Sequence, residues 1–303
     1  MKQIIVTIFL LIGLSLCSFG QNYKAQFIDL SKKNDTVAQK QLLIIWKAAI
    51  PNDPELYVAY YNFFVNKSKT DVVRIDNNPK GDKVFQIMDK DTTKKEPVAY
   101  MYGDIYYKPE LLKIGYAYID TGIAKFPKRL DMRFGKVYML GETKDYDTFT
   151  KEIIKTIDYS AVISNKWTWS DNELVKDDPK KFMLSAVQDY FVQLYNTGDD
   201  AQTVNMKQIA ESVLKYYPDN VENLSNLAGS YMLSGDFNSA LPPLLKAEKI
   251  APDDYIVLSN IAHCFLEKKD TTNAIKYYEL TVKYGDDRAK AVANKRLVEL
   301  GRK

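Results

Sequence analysis

Residues 221–254, VENLSNLAGSYMLSGDFNSALPPLLKAEKIAPDD, and residues 255–288, YIVLSNIAHCFLEKKDTTNAIKYYELTVKYGDDR, superimpose with a period of 34. In the first stretch Leu224, Leu227, Ala228 and Tyr231 recur at spacings that place them on one face of a helix. Gly235-Asp236 supplies a turn. Ala240, Leu244, Ala247 and Ile250 then form the inner face of a second helix, which Pro252 ends. The equivalent residues in the second stretch are Leu258, Ile261, Ala262 and Phe265, then Ala274, Tyr278, Thr281 and Tyr284, with Asp270 in the turn. The small residues decide the reading. Two helices of a hairpin approach closely only where one offers a short side chain, and Ala228, Ala240, Ala262 and Ala274 stand at such crossings.

The register continues outside these stretches. Asn226, Asn260 and Asn294 are 34 apart, as are Pro218 and Pro252; Pro54 precedes Asn62 by the same eight residues that separate each later Pro from its Asn, with Tyr60 and Phe63 beside it. These residues resemble the tetratricopeptide repeat, in which each 34-residue unit is a helical hairpin. The resemblance implies an all-α, right-handed superhelical solenoid. Along the chain, helices are expected at about 22–33, 36–50, 54–67, 108–126, 129–140, 144–158, 179–196, 203–217, 220–234, 237–250, 254–268, 271–284 and 286–301, that is, about six antiparallel pairs and a C-terminal capping helix. That last helix directs Val292, Leu297 and Leu300 inward and Lys290, Lys295, Arg296, Arg302 and Lys303 outward, as a terminal repeat requires. The motif match is specific across 219–288, so a C-terminal region of repeats and capping helix is expected at 219–303, and it is degenerate over 21–218. Pro242-Pro243 lies inside a helix of the best repeat, so that helix either starts late, near Leu241, or is kinked.

Two segments interrupt the rhythm. Over 68–107, Val84–Met88 and Val98–Tyr102 predict a small β-hairpin, preceded by a polar stretch, Lys69–Lys83, with Asn77-Asn78-Pro79-Lys80-Gly81 as turn material. A long insertion on a repeat scaffold is a second candidate binding site. The other break, 159–178, carries Trp167-Thr168-Trp169. An exposed Trp pair stacks on sugars or anchors peptides; the preferred reading is that the rings plug a junction between helix pairs.

The N-terminus reads as an export signal. Lys2 is followed by a nearly unbroken apolar run, Ile4–Leu16, and Ser18-Phe19-Gly20 places small residues before a cut at Gln21. Residues 1–20 are therefore expected to be removed, leaving an exported, periplasmic or extracellular chain without a transmembrane segment, associated with the cell envelope or outer membrane. Leu14-Ser15-Leu16-Cys17 resembles a lipobox in part, but Leu16 stands where relatives carry a small residue, so lipidation at Cys17 is the lesser alternative. After cleavage Cys264 is the one cysteine left, flanked by apolar neighbours, and no internal disulfide can form.

Chemistry is sparse. Of 303 residues 46% are hydrophobic and 27% charged, enough for a real core. The net charge of +3 comes from interleaved signs without a basic stripe, and this argues against nucleic acid as partner. The single histidine, His263, cannot assemble a zinc site or a Ser-His-Asp set, and Gly122, Gly135 and Gly141 are too isolated for a phosphate loop, so neither metal nor cofactor is expected. Asp177-Asp178, Asp199-Asp200 and Asp253-Asp254 sit at helix starts, where carboxylates accept from free backbone N–H groups.

The expected function is non-enzymatic: a protein–protein interaction scaffold of the cell envelope that binds a partner protein or peptide segment in its groove. A glycan-binding accessory protein using exposed Tyr and Trp is the alternative, and an enzyme with its site in 68–107 or 159–178 ranks third. In the tetratricopeptide family the first helix of each pair lines the groove. The resemblance thus picks out Val58, Tyr61 and Val65, then Glu222, Ser225, Gly229 and Met232, then Ile256, Ser259, His263 and Leu266. Relatives that clamp a carboxylate present basic residues there; Ser225, Gly229 and Ser259 instead imply shallow, partly apolar pockets.

Overall fold

A computed structural model describes residues 23–77, 83–91 and 93–302. The expected signal segment 1–20, its cut at Gln21 and Cys17 lie outside the described residues, as do Asn78, Pro79, Lys80 and Gly81 of the expected turn. Among the described residues there are thirteen α-helices: α1 (Tyr23–Lys32), α2 (Thr36–Ala49), α3 (Pro54–Ser68), α4 (Pro109–Lys125), α5 (Leu130–Glu142), α6 (Tyr146–Val162), α7 (Pro179–Tyr195), α8 (Thr203–Tyr216), α9 (Val221–Leu233), α10 (Phe237–Ile250), α11 (Tyr255–Glu267), α12 (Thr271–Tyr284) and α13 (Asp287–Glu299). Short polar connections and aspartate or asparagine caps set most of their starts. Asp35, Asp53, Asp145, Asp178, Asn220, Asp236, Asp254, Asp270 and Asp286 each accept a backbone N–H of the first turn. None of these helices is long and apolar enough to cross a membrane.

The chain divides into two compact units. The first holds the described residues up to Met132 together with Thr168–Glu173; the second holds Arg133–Trp167 and Leu174 onward. In the second unit α8 packs directly on α9.

In the first unit, α1, α2 and α3 share a core of Phe27, Leu42, Leu43, Trp46, Leu56, Ala59, Tyr60 and Phe63. α4 covers the remaining side of α3, where Tyr118 stacks on Tyr60 at 4.1 Å and 2°. The close approach needs Gly122: a Cβ there would lie 2.9 Å from Tyr57 Cβ. Between α3 and α4 runs a three-stranded antiparallel sheet, β1 (Lys69–Asp76), β2 (Val84–Met88) and β3 (Pro97–Tyr107), in the order β1-β3-β2. The expected β2–β3 hairpin is present, Val84 opposite Tyr102 and Ile87 opposite Ala99. The polar stretch that precedes it is not a loop: Lys69–Asp76 pairs along the other side of β3, from Lys69 opposite Tyr107 to Asp76 opposite Tyr100. Across the strands Arg74 pairs with Asp104.

In the second unit the 34-residue register becomes the core. Ala228, Ala240, Ala262 and Ala274 are each 0% exposed, and Leu224, Leu244, Ala247, Leu258, Ile261, Tyr278 and Thr281 are buried with them. Two expected inner residues differ. Ile250 and Tyr284 end their helices and are 44% and 41% exposed. α10 starts at Phe237, under the Asp236 cap, and runs through Pro242 and Pro243; it does not start late. In α13, Ala293 and Leu297 are buried, while Val292, expected to point inward, is 52% exposed.

Candidate functional site

The candidate site is a hollow of about 410 Å³ in the second unit, built from the exposed faces of α7, α9 and α11 with Met206 of α8. α9 gives Ser225, Asn226, Gly229, Met232 and Leu233, whose spacings of three and four keep them on one side of the helix. α11 gives Ile256, Asn260 and His263, and α7 gives Gln188, Phe191, Val192 and Tyr195. The repeated asparagines hold the first helices together. Asn226 donates to Gln188 Oε1 at 2.5 Å, and Asn260 donates to Ser225 Oγ at 3.3 Å. Amide and hydroxyl groups satisfied in this way form a neutral lining beneath an apolar rim. Gly229 opens the hollow: a Cβ there would meet no atom within 4 Å. His263 stands at the margin, edge-on to Phe237 with ring centroids 5.7 Å apart.

A second hollow, about 360 Å³, shares Tyr195, Met206 and Leu233 with the first and is bordered by Asp199 and Asp200. Asp199 caps the short turn before α8, where its hydrogen bond from Gln202 holds the carboxyl below the usual range.

The structure thus brings Ser225, Gly229, Met232, Ile256 and His263 together. Glu222 is exposed one helical turn before Ser225; Ser259 is half-buried outside the lining; Leu266 packs on the core of the unit. In the first unit the expectation differs from what is found. Tyr61 and Val65 are 4% and 7% exposed and Val58 is half-buried. Both sides of α3 are covered, by α2 and by α4, so its outer stripe is core; burial beside Tyr116 accordingly raises the Tyr61 phenol. Gln188, Phe191, Val192, Tyr195 and Met206 were not picked out. The signal of the first four is a face at spacings of three and four on α7, in a region where the repeat motif has decayed; Met206 comes from α8.

The remaining candidate features sort out by burial. Trp167 is 0% exposed, beneath the Arg133 guanidinium, which lies 5.6 Å from its ring, so Trp167 and Trp169 present no exposed pair for a sugar. Cys264 is fully buried, and burial pushes its thiol up to about 11, the opposite of a reactive thiolate. Asp178 and Asp254 cap α7 and α11. Among the described residues no three of His, Cys, Asp and Glu gather as metal ligands. The insertion does present an apolar surface: Val73, Ile75, Phe85 and Ile105 share one face of the sheet and are 45% to 70% exposed.

No protein-family model matches the chain, and no curated protein does. Among solved structures it is similar to the P58(IPK) TPR domain, at 11% identity and a TM-score of 0.33 over 93% of this chain and 65% of that one. It is also similar to yeast Tom70, at 13% identity and a TM-score of 0.31 over 92% of this chain and 60% of that one. The chain therefore spans less than two thirds of either neighbour.

Proposed function

We propose that the protein is an interaction scaffold that holds a segment of a partner protein in the hollow formed by α7, α9 and α11, and that it works outside the cytoplasm, in the cell envelope, after export directed by residues 1–20. The observation that carries the first part is the cavity itself. Its rim is apolar, and Gln188 with Asn226 and Ser225 with Asn260 are paired within the lining, so it offers shape and apolar area. Beside Gly229 an added Cβ would meet no atom within 4 Å, so there is room for an entering side chain.

The test is capture from a cell-envelope extract with the parent chain and with Ser225→Arg/Ser259→Arg side by side. The expected result is a partner retained by the parent and lost by the variant. A partner held equally by both refutes the groove; loss on deleting the sheet insertion alone would place the contact on the Val73–Phe85 face instead. Export is tested separately by the mass of the secreted chain, which should begin at Gln21; a lipid-modified chain beginning at Cys17 would contradict it.

A further inference from the structure

The charges around the hollow are one-sided. Its lining includes neither lysine nor arginine, and the adjoining hollow adds only Asp199 and Asp200. Lys207 follows Met206 in sequence, but its ammonium lies over the Tyr231 ring at 4.6 Å and within 3.8 Å of Glu211. At the opposite end stand two more acids. Glu222 precedes Ser225 by one turn on α9, and Asp189 precedes Val192 by one turn on α7; the Gln188–Asn226 amide pair ties the two helices together at that level. Both acidic residues are exposed, and among the described residues no cation pairs with either. Their proximity is felt: loss of solvent first, and then the Asp189 charge, raises the Glu222 carboxyl. A chain of net charge +3 therefore carries an apolar cavity with carboxylates at both ends.

Two unpaired carboxylates side by side repel each other, and an incoming cation relieves that repulsion where an anion would add to it. Resting on the groove reading above, we infer that the occupant is a basic segment of a partner protein: one large apolar side chain seated beside Gly229, with lysine or arginine flanking it to meet Glu222 and Asp189 at one end and Asp200 at the other. The acidic ends select the segment and hasten its approach, while the apolar hollow holds it.

The experiment uses short, end-capped, fluorescein-labelled peptides with a central leucine or phenylalanine, flanked by arginine, serine or glutamate, and reads binding by anisotropy. The Arg-flanked peptides should bind the parent at least about tenfold tighter than the Glu-flanked ones, with an advantage that shrinks as salt rises. Glu222→Lys/Asp189→Lys should reverse that order, and Gly229→Leu should remove binding of every peptide, both variants keeping the parent's far-UV spectrum. Loss in Gly229→Leu with an unreversed order in the lysine variant overturns the charge inference and leaves the groove reading standing. Undiminished binding in Gly229→Leu overturns both, as does a failure of the Arg-flanked peptides to bind the parent.

Discussion

Replacing Glu55 by alanine tests a buried carboxylate of the first unit that has three charged or backbone partners. Glu55 lies in the first turn of α3 and is 7% exposed. Its carboxylate receives Arg129 Nη1 at 2.7 Å, the backbone N–H of Asp171 at 2.8 Å and Lys24 Nζ at 3.1 Å. Arg129 is 1% exposed, and Asp131 holds it from the other side through Nε at 2.8 Å and Nη2 at 2.7 Å. Burial works against the guanidinium, but Asp131 and Glu55 together outweigh it, and its pKa is raised. Orphaning a buried charge costs ~3–5 kcal/mol, and a hydrogen bond to a charged group contributes ~1.5–3 kcal/mol. Arg129 keeps Asp131 in the variant, so Glu55→Ala should cost about 3 kcal/mol, at the lower edge of the first range. Asp131→Ala removes both parallel bonds and should cost as much or more. The Lys24 side chain is 34% exposed, and Lys24→Ala should cost under about 1 kcal/mol. Urea unfolding of the four proteins measures the order. A Lys24 variant as damaged as the Glu55 variant, or a Glu55 variant within about 1 kcal/mol of the parent, would refute the claim that the buried guanidinium dominates this network.

Ala240→Leu and Ala274→Leu place four-carbon side chains where Cβ is already 0% exposed, so each should lose about 1–3 kcal/mol, read as a lower melting temperature; two unchanged values would show the repeat register to be wrong. Cys264 in the native chain should resist alkylation at pH 8 and react only when urea unfolds the protein, since its buried thiol ionises near 11. Hydrogen bonds from Ser239 hold Asp236 below its ordinary pKa, those from Asn273 do so for Asp270, and the Ala289 N–H does so for Asp286. A depressed folded value means this stabilisation is complete above the ordinary carboxylate range and disappears as pH falls through the folded value. Melting temperature should therefore decline below about pH 4, and less steeply in Asp236→Asn/Asp270→Asn/Asp286→Asn.

Helix positions were legible because their determinants are local. An aspartate or asparagine cap followed by three- and four-residue apolar spacing is written within a few consecutive residues, as at Asp236, Asp254 and Asp270. What each helix face meets is not local. α3 and α9 carry comparable outer stripes, yet Tyr61 and Val65 are buried by α4, whereas Ser225 and Gly229 face an open hollow. β1 escaped notice because Val73 and Ile75 are exposed, so its alternation buys no core and blends with the charges around it. The network of Lys24, Glu55, Arg129 and Asp171 joins positions up to 147 residues apart, beyond any spacing rule. The candidate site combines both kinds of information. Repeat register supplies the exposed face on α9 and α11, but α7, where the motif has decayed, supplies Val192, Tyr195 and the carboxylate of Asp189. Repeat positions that pack the core must stay small or apolar in every unit, whereas a face turned toward an open hollow is free to differ from one unit to the next. Glu222 illustrates the difference: one repeat on, the same register position is Ile256, and the acid that α9 presents has no counterpart on α11. Under the proposed function, selectivity for a partner resides in those non-repeating positions, and substitutions there should change which segment binds while leaving the helix-pair core intact.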